Sequence, residues 1–107
     1  MRSHEWIDQR SLAFDRLVAE KLQENPALLG RARATLDRWL KQRQPAPPPI
    51  FLEWQDILSG WPLERIIQLL TSAQEDARRL RQSSPFCGIL TGEERRAILK
   101  DYESRRA

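Results

Sequence analysis

The stretch Ile50–Leu70, IFLEWQDILSGWPLERIIQLL, is the most hydrophobic in the chain, and its reading decides the fold. Its apolar residues come in dense clusters with few charges between them, at spacings that fit buried helix faces rather than strict alternation. The pattern predicts one helix from Ile50 to Leu58, a break at Ser59 and Gly60, and a second helix from Pro62 to Leu70. No stretch elsewhere sustains period-two alternation, and the turn signals fall between helical patterns. The expected class is therefore all-α, with about five to six short helices.

Upstream, Ile7, Phe14, Leu17, Val18 and Leu22 recur at helical spacing between Glu5 and Gln23, with Asp8, Asp15, Arg16 and Glu20 around them. Pro26 disfavours helical geometry at Asn25 and fixes its own dihedral for a new helix, with Asn25 as the expected N-cap. The second helix is predicted from Pro26 to about Gln42, with Leu28, Leu29, Ala32, Leu36, Trp39 and Leu40 on one stripe. QPAPPP then cannot continue a helix and reads as an extended spacer. The predicted organisation is a single domain over 1–107. It comprises a helical hairpin (1–43), a Pro-rich spacer (44–49) and a helical bundle (50–107).

Downstream, Ser72 with Glu75 and Thr91 with Glu94 have capping-box spacing, so each pair is expected to open a helix. RLRQSSPFCGILTGEERRAIL, Arg79 to Leu99, runs from the first of these helices into the second, with the single cysteine and two of the four glycines. Here Ser83 and Ser84 can tie a helix end to a turn, Pro85 limits the backbone, and Phe86 offers a rigid apolar plug beside Arg81 and Gln82. Two readings stay open. Phe86 and its neighbours reach into a partner's cleft, or Phe86 and Leu90 fold back as a staple between two helices.

Bulk composition narrows the function. A chain of 107 residues, 40% apolar and 31% charged, supports one modest core and reads as folded rather than disordered. One cysteine cannot form an internal disulfide, which suits a reducing compartment. The opening MRSHEWIDQR carries no apolar run, and no segment approaches the ~20 apolar residues of a membrane span, so a cytoplasmic protein is expected. His4 and Cys87 are each alone, no zinc or calcium motif occurs, and no glycine loop has phosphate-cradling spacing. A nucleophile at Cys87, Ser83 or Ser84 would lack a base. Glu93 and Glu94 read as first-turn carboxylates, and Cys87 as a small buried hydrophobe. No metal, no cofactor and no enzymatic activity are expected.

The net charge of +3 comes largely from arginine. A phosphate-binding alternative would use Arg31, Arg33, Arg38, Lys41, Arg95, Arg96 and Lys100, although intervening acids make solvated helix faces the ordinary reading. Trp39, Trp54 and Trp61 can serve either a core or an interface.

The segment Arg79–Leu99 and the N-terminal SLAFDRLVAEKLQENPALLGRARATLDRWL together resemble a group of small bacterial antitoxin-like proteins, often encoded beside minimal nucleotidyltransferase-type toxins. The matching positions are Ala19 to Leu22, Pro26 to Leu29, Arg31 to Arg33, Trp39, Arg79 to Phe86, Gly88, Leu90, Thr91, Glu94 and Arg95. Cys87 stands where that pattern has alanine, and Asn25 where it has an aspartate cap. The resemblance implies an antitoxin that occludes its toxin by direct contact, with Arg81, Gln82, Ser83, Ser84, Phe86, Trp54 and Trp61 as candidate contacts. Nucleic-acid binding with autoregulation, or a structural homodimer joined through Ile50–Leu70, are the alternative classes.

Overall fold

The first helix, α1, runs Arg2–Glu24 and turns Val18, Ala19 and Leu22 fully inward, with Phe14 and Leu17 half-buried beside them. The structure is a computed structural model that describes residues 2–106, with side chains for 9–104. The expectations placed on His4 and Ile7 concern side chains outside that range. Asn25 still donates its amide to the Lys21 carbonyl at 2.8 Å, but φ −141° and ψ 86° take it out of the helix, as a residue before proline requires.

A 3-10 turn at Pro26–Leu28 then leads into α2, Leu29–Gln42. Asn25 does not cap this start with its side chain. Pro26 has no amide to be capped, and the Leu28 amide is already held by the Asn25 carbonyl at 3.1 Å. Helix α2 buries Ala32, Thr35, Leu36 and Leu40 and half-buries Trp39.

The proline-rich spacer is shorter and more bent than expected. Arg43 and Gln44 fold back onto the end of α2, through amide bonds to Trp39, Leu40 and Lys41, and Pro49 is already the first residue of α3, Pro49–Gly60. Proline fits there because the first helical amide has no acceptor within the helix. Ser59 and Gly60 do not break the helix. The break falls at Trp61, extended at φ −85° and ψ 143° because Pro62 follows it. Helix α4, Leu63–Thr71, has a strongly one-sided apolar face and buries Ile66, Leu69 and Leu70.

Helix α5, Glu75–Arg81, begins without the expected capping box, because the Ser72 hydroxyl accepts from the Gln74 amide at 3.1 Å instead. The box at Thr91 does form. Its hydroxyl accepts from the Glu94 amide at 3.1 Å, and the Glu94 carboxylate accepts from the Thr91 amide at 2.8 Å, opening α6 at Gly92–Arg106. Six α-helices and no strand occur among the described residues, so the fold is all-α.

Helix α1 packs on α4 and α6, while α2 packs on α3 and on a second 3-10 turn, Pro85–Gly88. The proposed hairpin and bundle share one core. Leu22 and Leu36 from the first part belong to the same buried cluster as Trp54, Ile66, Leu80 and Phe86 from the second. At its centre the Trp54 indole donates to the Leu80 carbonyl at 2.9 Å and meets the Phe86 ring edge-on, with centroids 5.9 Å apart at 66°. A buried indole N–H needs such an acceptor, and an edge-on ring pair adds about 1 kcal/mol to the area it buries.

Candidate functional site

The segment from Leu80 to Leu90 joins α5 to α6 and threads between α1 and α2. Arg81 lies at its start, at the end of α5, with a side chain only 7% exposed. Its Nε faces Asp15 Oδ2 of α1 at 3.2 Å, and its terminal nitrogen donates to the Leu69 carbonyl at 3.0 Å and to the Ser72 carbonyl at the end of α4. One guanidinium thus ties three helices together. A fixed fork of donors suits this task in a way a single ammonium does not.

Burial pushes the Asp15 carboxyl up to about 7, with Arg81 opposing part of that rise. Desolvation disfavours the charged carboxylate more than the neighbouring guanidinium restores it. Asp15 belongs to the functional architecture although sequence reading placed it on the polar side of α1. The signal was available: it precedes Val18 by three and Leu22 by seven, on the apolar stripe itself.

Past Arg81, the Ser84 hydroxyl accepts from the Phe86 amide at 3.2 Å and caps the 3-10 turn. Pro85 and Phe86 enter the core, Phe86 to 1% exposure. The outward-plug reading of Phe86 therefore gives way to the staple. Trp54, at 0% exposure, likewise leaves the candidate contact surface. Arg81 and Ser84 are committed to internal bonds, so among these expected contacts only exposed Gln82, half-buried Ser83 and half-buried Trp61 still face outward. The Arg65 guanidinium lies 3.9 Å over the Trp61 ring. Cys87 is exposed rather than buried, since its place on the short turn points it away from the core.

Beyond the turn, the Cys87 carbonyl accepts from Arg95, whose guanidinium also sits 5.6 Å from the Phe14 ring. Lys21 bridges α1 to the start of α6, donating to Glu94 Oε1 at 2.7 Å and to the Ile89 carbonyl at 3.0 Å. The Lys21 hydrogen bond, helped by the Thr91 amide, holds the Glu94 carboxyl below its ordinary value. On the outer face, Arg79 clasps Glu53 at 2.8 and 2.9 Å and Asp76 at 2.8 Å, which lowers the Glu53 carboxyl chiefly through its hydrogen bonds.

The seven basic candidates do not form one surface. Arg33 is committed to the Leu58 carbonyl, with two bonds at 3.1 and 2.9 Å that tie α2 to α3, and Arg95 is committed to the turn. Arg31, Arg38 and Lys41 stay exposed on α2, and Arg96 and Lys100 on α6. Among the described residues, no three His, Cys, Asp or Glu side chains gather as metal ligands, and no helix is long and apolar enough to cross a membrane. The chain matches no family model, no curated protein and no solved structure.

Proposed function

We propose that this chain is a non-enzymatic, cytoplasmic antitoxin that neutralises a nucleotidyltransferase-like toxin by direct protein contact. The observation that carries this reading is the resemblance in Arg79–Leu99 and Ser11–Leu40, two segments that together make up about half of the chain. The geometry supplies a physical role for the shared residues. Arg81, Ser84 and Phe86 build a joint that locks α1, α4, α5 and the 3-10 turn together, so the surface they support is presented pre-formed. A rigid surface loses less conformational freedom on binding, which favours a tight complex.

The contacts in this reading are outward-facing Gln82, Ser83 and Trp61, together with Leu52, a large apolar side chain left 45% exposed on α3. Co-expression with the product of the adjacent gene tests the proposal. A single complex on size exclusion, with nucleotidyl transfer by the partner suppressed, is the expected result. Separate elution of two folded proteins at micromolar concentration would overturn it.

A further inference from the structure

Two recesses open along one side of α2. The first, about 370 Å³, has Arg31 and Arg38 over a floor that includes Pro85 and Ile89. The second, about 280 Å³, is lined by Trp39, Gln42, Arg43, Phe51 and Ser83. At 100° per residue Gln42 falls on the stripe of Arg31 and Arg38, while Trp39 and Arg43 are turned toward α3, so the second recess lies beyond the first and partly round the helix from it. The segment containing Ser83, Pro85, Gly88 and Ile89 walls both of them. As a pair they make an interrupted groove, with Arg31 and Gln42 at its ends roughly 16 Å apart along α2 at 1.5 Å per residue.

Among the described residues no carboxylate lines this groove, and Arg31, Arg38 and Arg43 take part in no ion pair. At its far end the half-buried Trp39 and Phe51 rings lie 5.3 Å apart, tilted by 34°, and both line the second recess. We propose that this groove binds a short stretch of single-stranded nucleic acid, about three nucleotides long, with its phosphates on the arginines and one base stacked at the ring pair.

Each half of the groove restricts the ligand. Guanidiniums without acids beside them favour a polyanion, and the forked donors match phosphate oxygens. The ring pair needs a planar partner with a free face. In a duplex the bases are already stacked on one another and give the rings nothing, whereas an unpaired base is free to stack. Gln42, beside the rings, has both a donor and an acceptor for a base edge.

Fluorescence anisotropy of a labelled oligothymidylate of about a dozen nucleotides tests the proposal, with the same sequence as a duplex and an acidic, aromatic-containing peptide as competitors. The single strand is expected to bind at least ~10-fold more tightly than the duplex, with a log-log salt slope near −2 for three phosphate contacts. The double variant Arg31→Glu with Arg38→Glu changes only exposed side chains, and circular dichroism verifies its fold; binding should weaken at least ~10-fold. Trp39→Leu should weaken it by a similar factor through lost stacking. Equal or tighter duplex binding, tighter binding of the peptide, or wild-type affinity in the charge-reversed protein would each overturn the proposal. The charge-reversed arm decides the matter even where Trp39→Leu impairs folding.

Discussion

Replacing Arg81 by methionine keeps most of the apolar stem and removes the guanidinium, which isolates what the head group does. Three acceptors then lose their donor: the Asp15 carboxylate and the Leu69 and Ser72 carbonyls. A buried acceptor left unpaired costs about 1–3 kcal/mol, and breaking one side of a buried ion pair costs about 3–5 kcal/mol. The terms do not simply add. Asp15, already raised to about 7 by burial, rises further without Arg81 and becomes a neutral acid near pH 7, which caps its own penalty. A loss of ~3 kcal/mol or more at pH 7 is therefore expected in urea unfolding, with a melting temperature lower by roughly 10 °C or more. Arg81→Lys should recover only part, since one ammonium cannot serve acceptors on three sides. A loss under ~1 kcal/mol in Arg81→Met, the range of an exposed charge, would refute the clamp.

Two further outcomes follow from the same contacts. Because folding raises the Asp15 carboxyl from 3.8 to about 7, the unfolded chain releases its proton first, so the Asp15 contribution to stability is fully present below about pH 4 and is lost as pH climbs through 7. Asp15→Asn should flatten that part of the stability-pH curve, measured by urea midpoints across pH 4–8; a curve as steep as wild type would assign the dependence elsewhere. Thr91→Ala removes one half of the capping box and should cost ~1 kcal/mol of stability, with faster amide exchange in the first turn of α6. Unchanged exchange there would mean the cap contributes nothing.

The legibility of the fold varied with the kind of signal. Apolar periodicity located α1 to α4 within a few residues, because each buries one stripe and a stripe is a property of spacing alone. Thr91 and Glu94 formed their box as read, but Ser72 and Glu75, with identical spacing, did not. Ser72 closes a shorter local bond to the Gln74 amide, and a spacing rule does not distinguish the two outcomes. Ser59–Gly60 looked like a stop, yet the helix ran through to Gly60 and yielded at Trp61, where a proline imposes extended backbone.

The site was harder to read than the helices. Phe86 and Arg81 stood out in the joining segment, but which way they point depends on Asp15 of α1 and Trp54 of α3, which lie far away in sequence. Trp54 posed the same ambiguity, resolved by a carbonyl 26 residues away that needed a donor. The arginines show the limit most clearly. Arg31 and Arg33 are both exposed residues of the same type, yet only Arg33 is bound to the Leu58 carbonyl across the α2–α3 contact. Nothing local separates them, because the acceptor is created by the helix end at Trp61.

The SSPF segment acts as a structural joint whose phenylalanine belongs to the core. Urea unfolding of the isolated Phe86→Ala protein tests it most directly. Phe86 is 1% exposed and packed edge-on against Trp54, so its truncation should destabilise the free protein by ~3 kcal/mol or more, as removal of a buried phenylalanine does. Wild-type stability in this variant, accompanied by weaker binding to a protein partner, would place Phe86 at an interface and contradict the account.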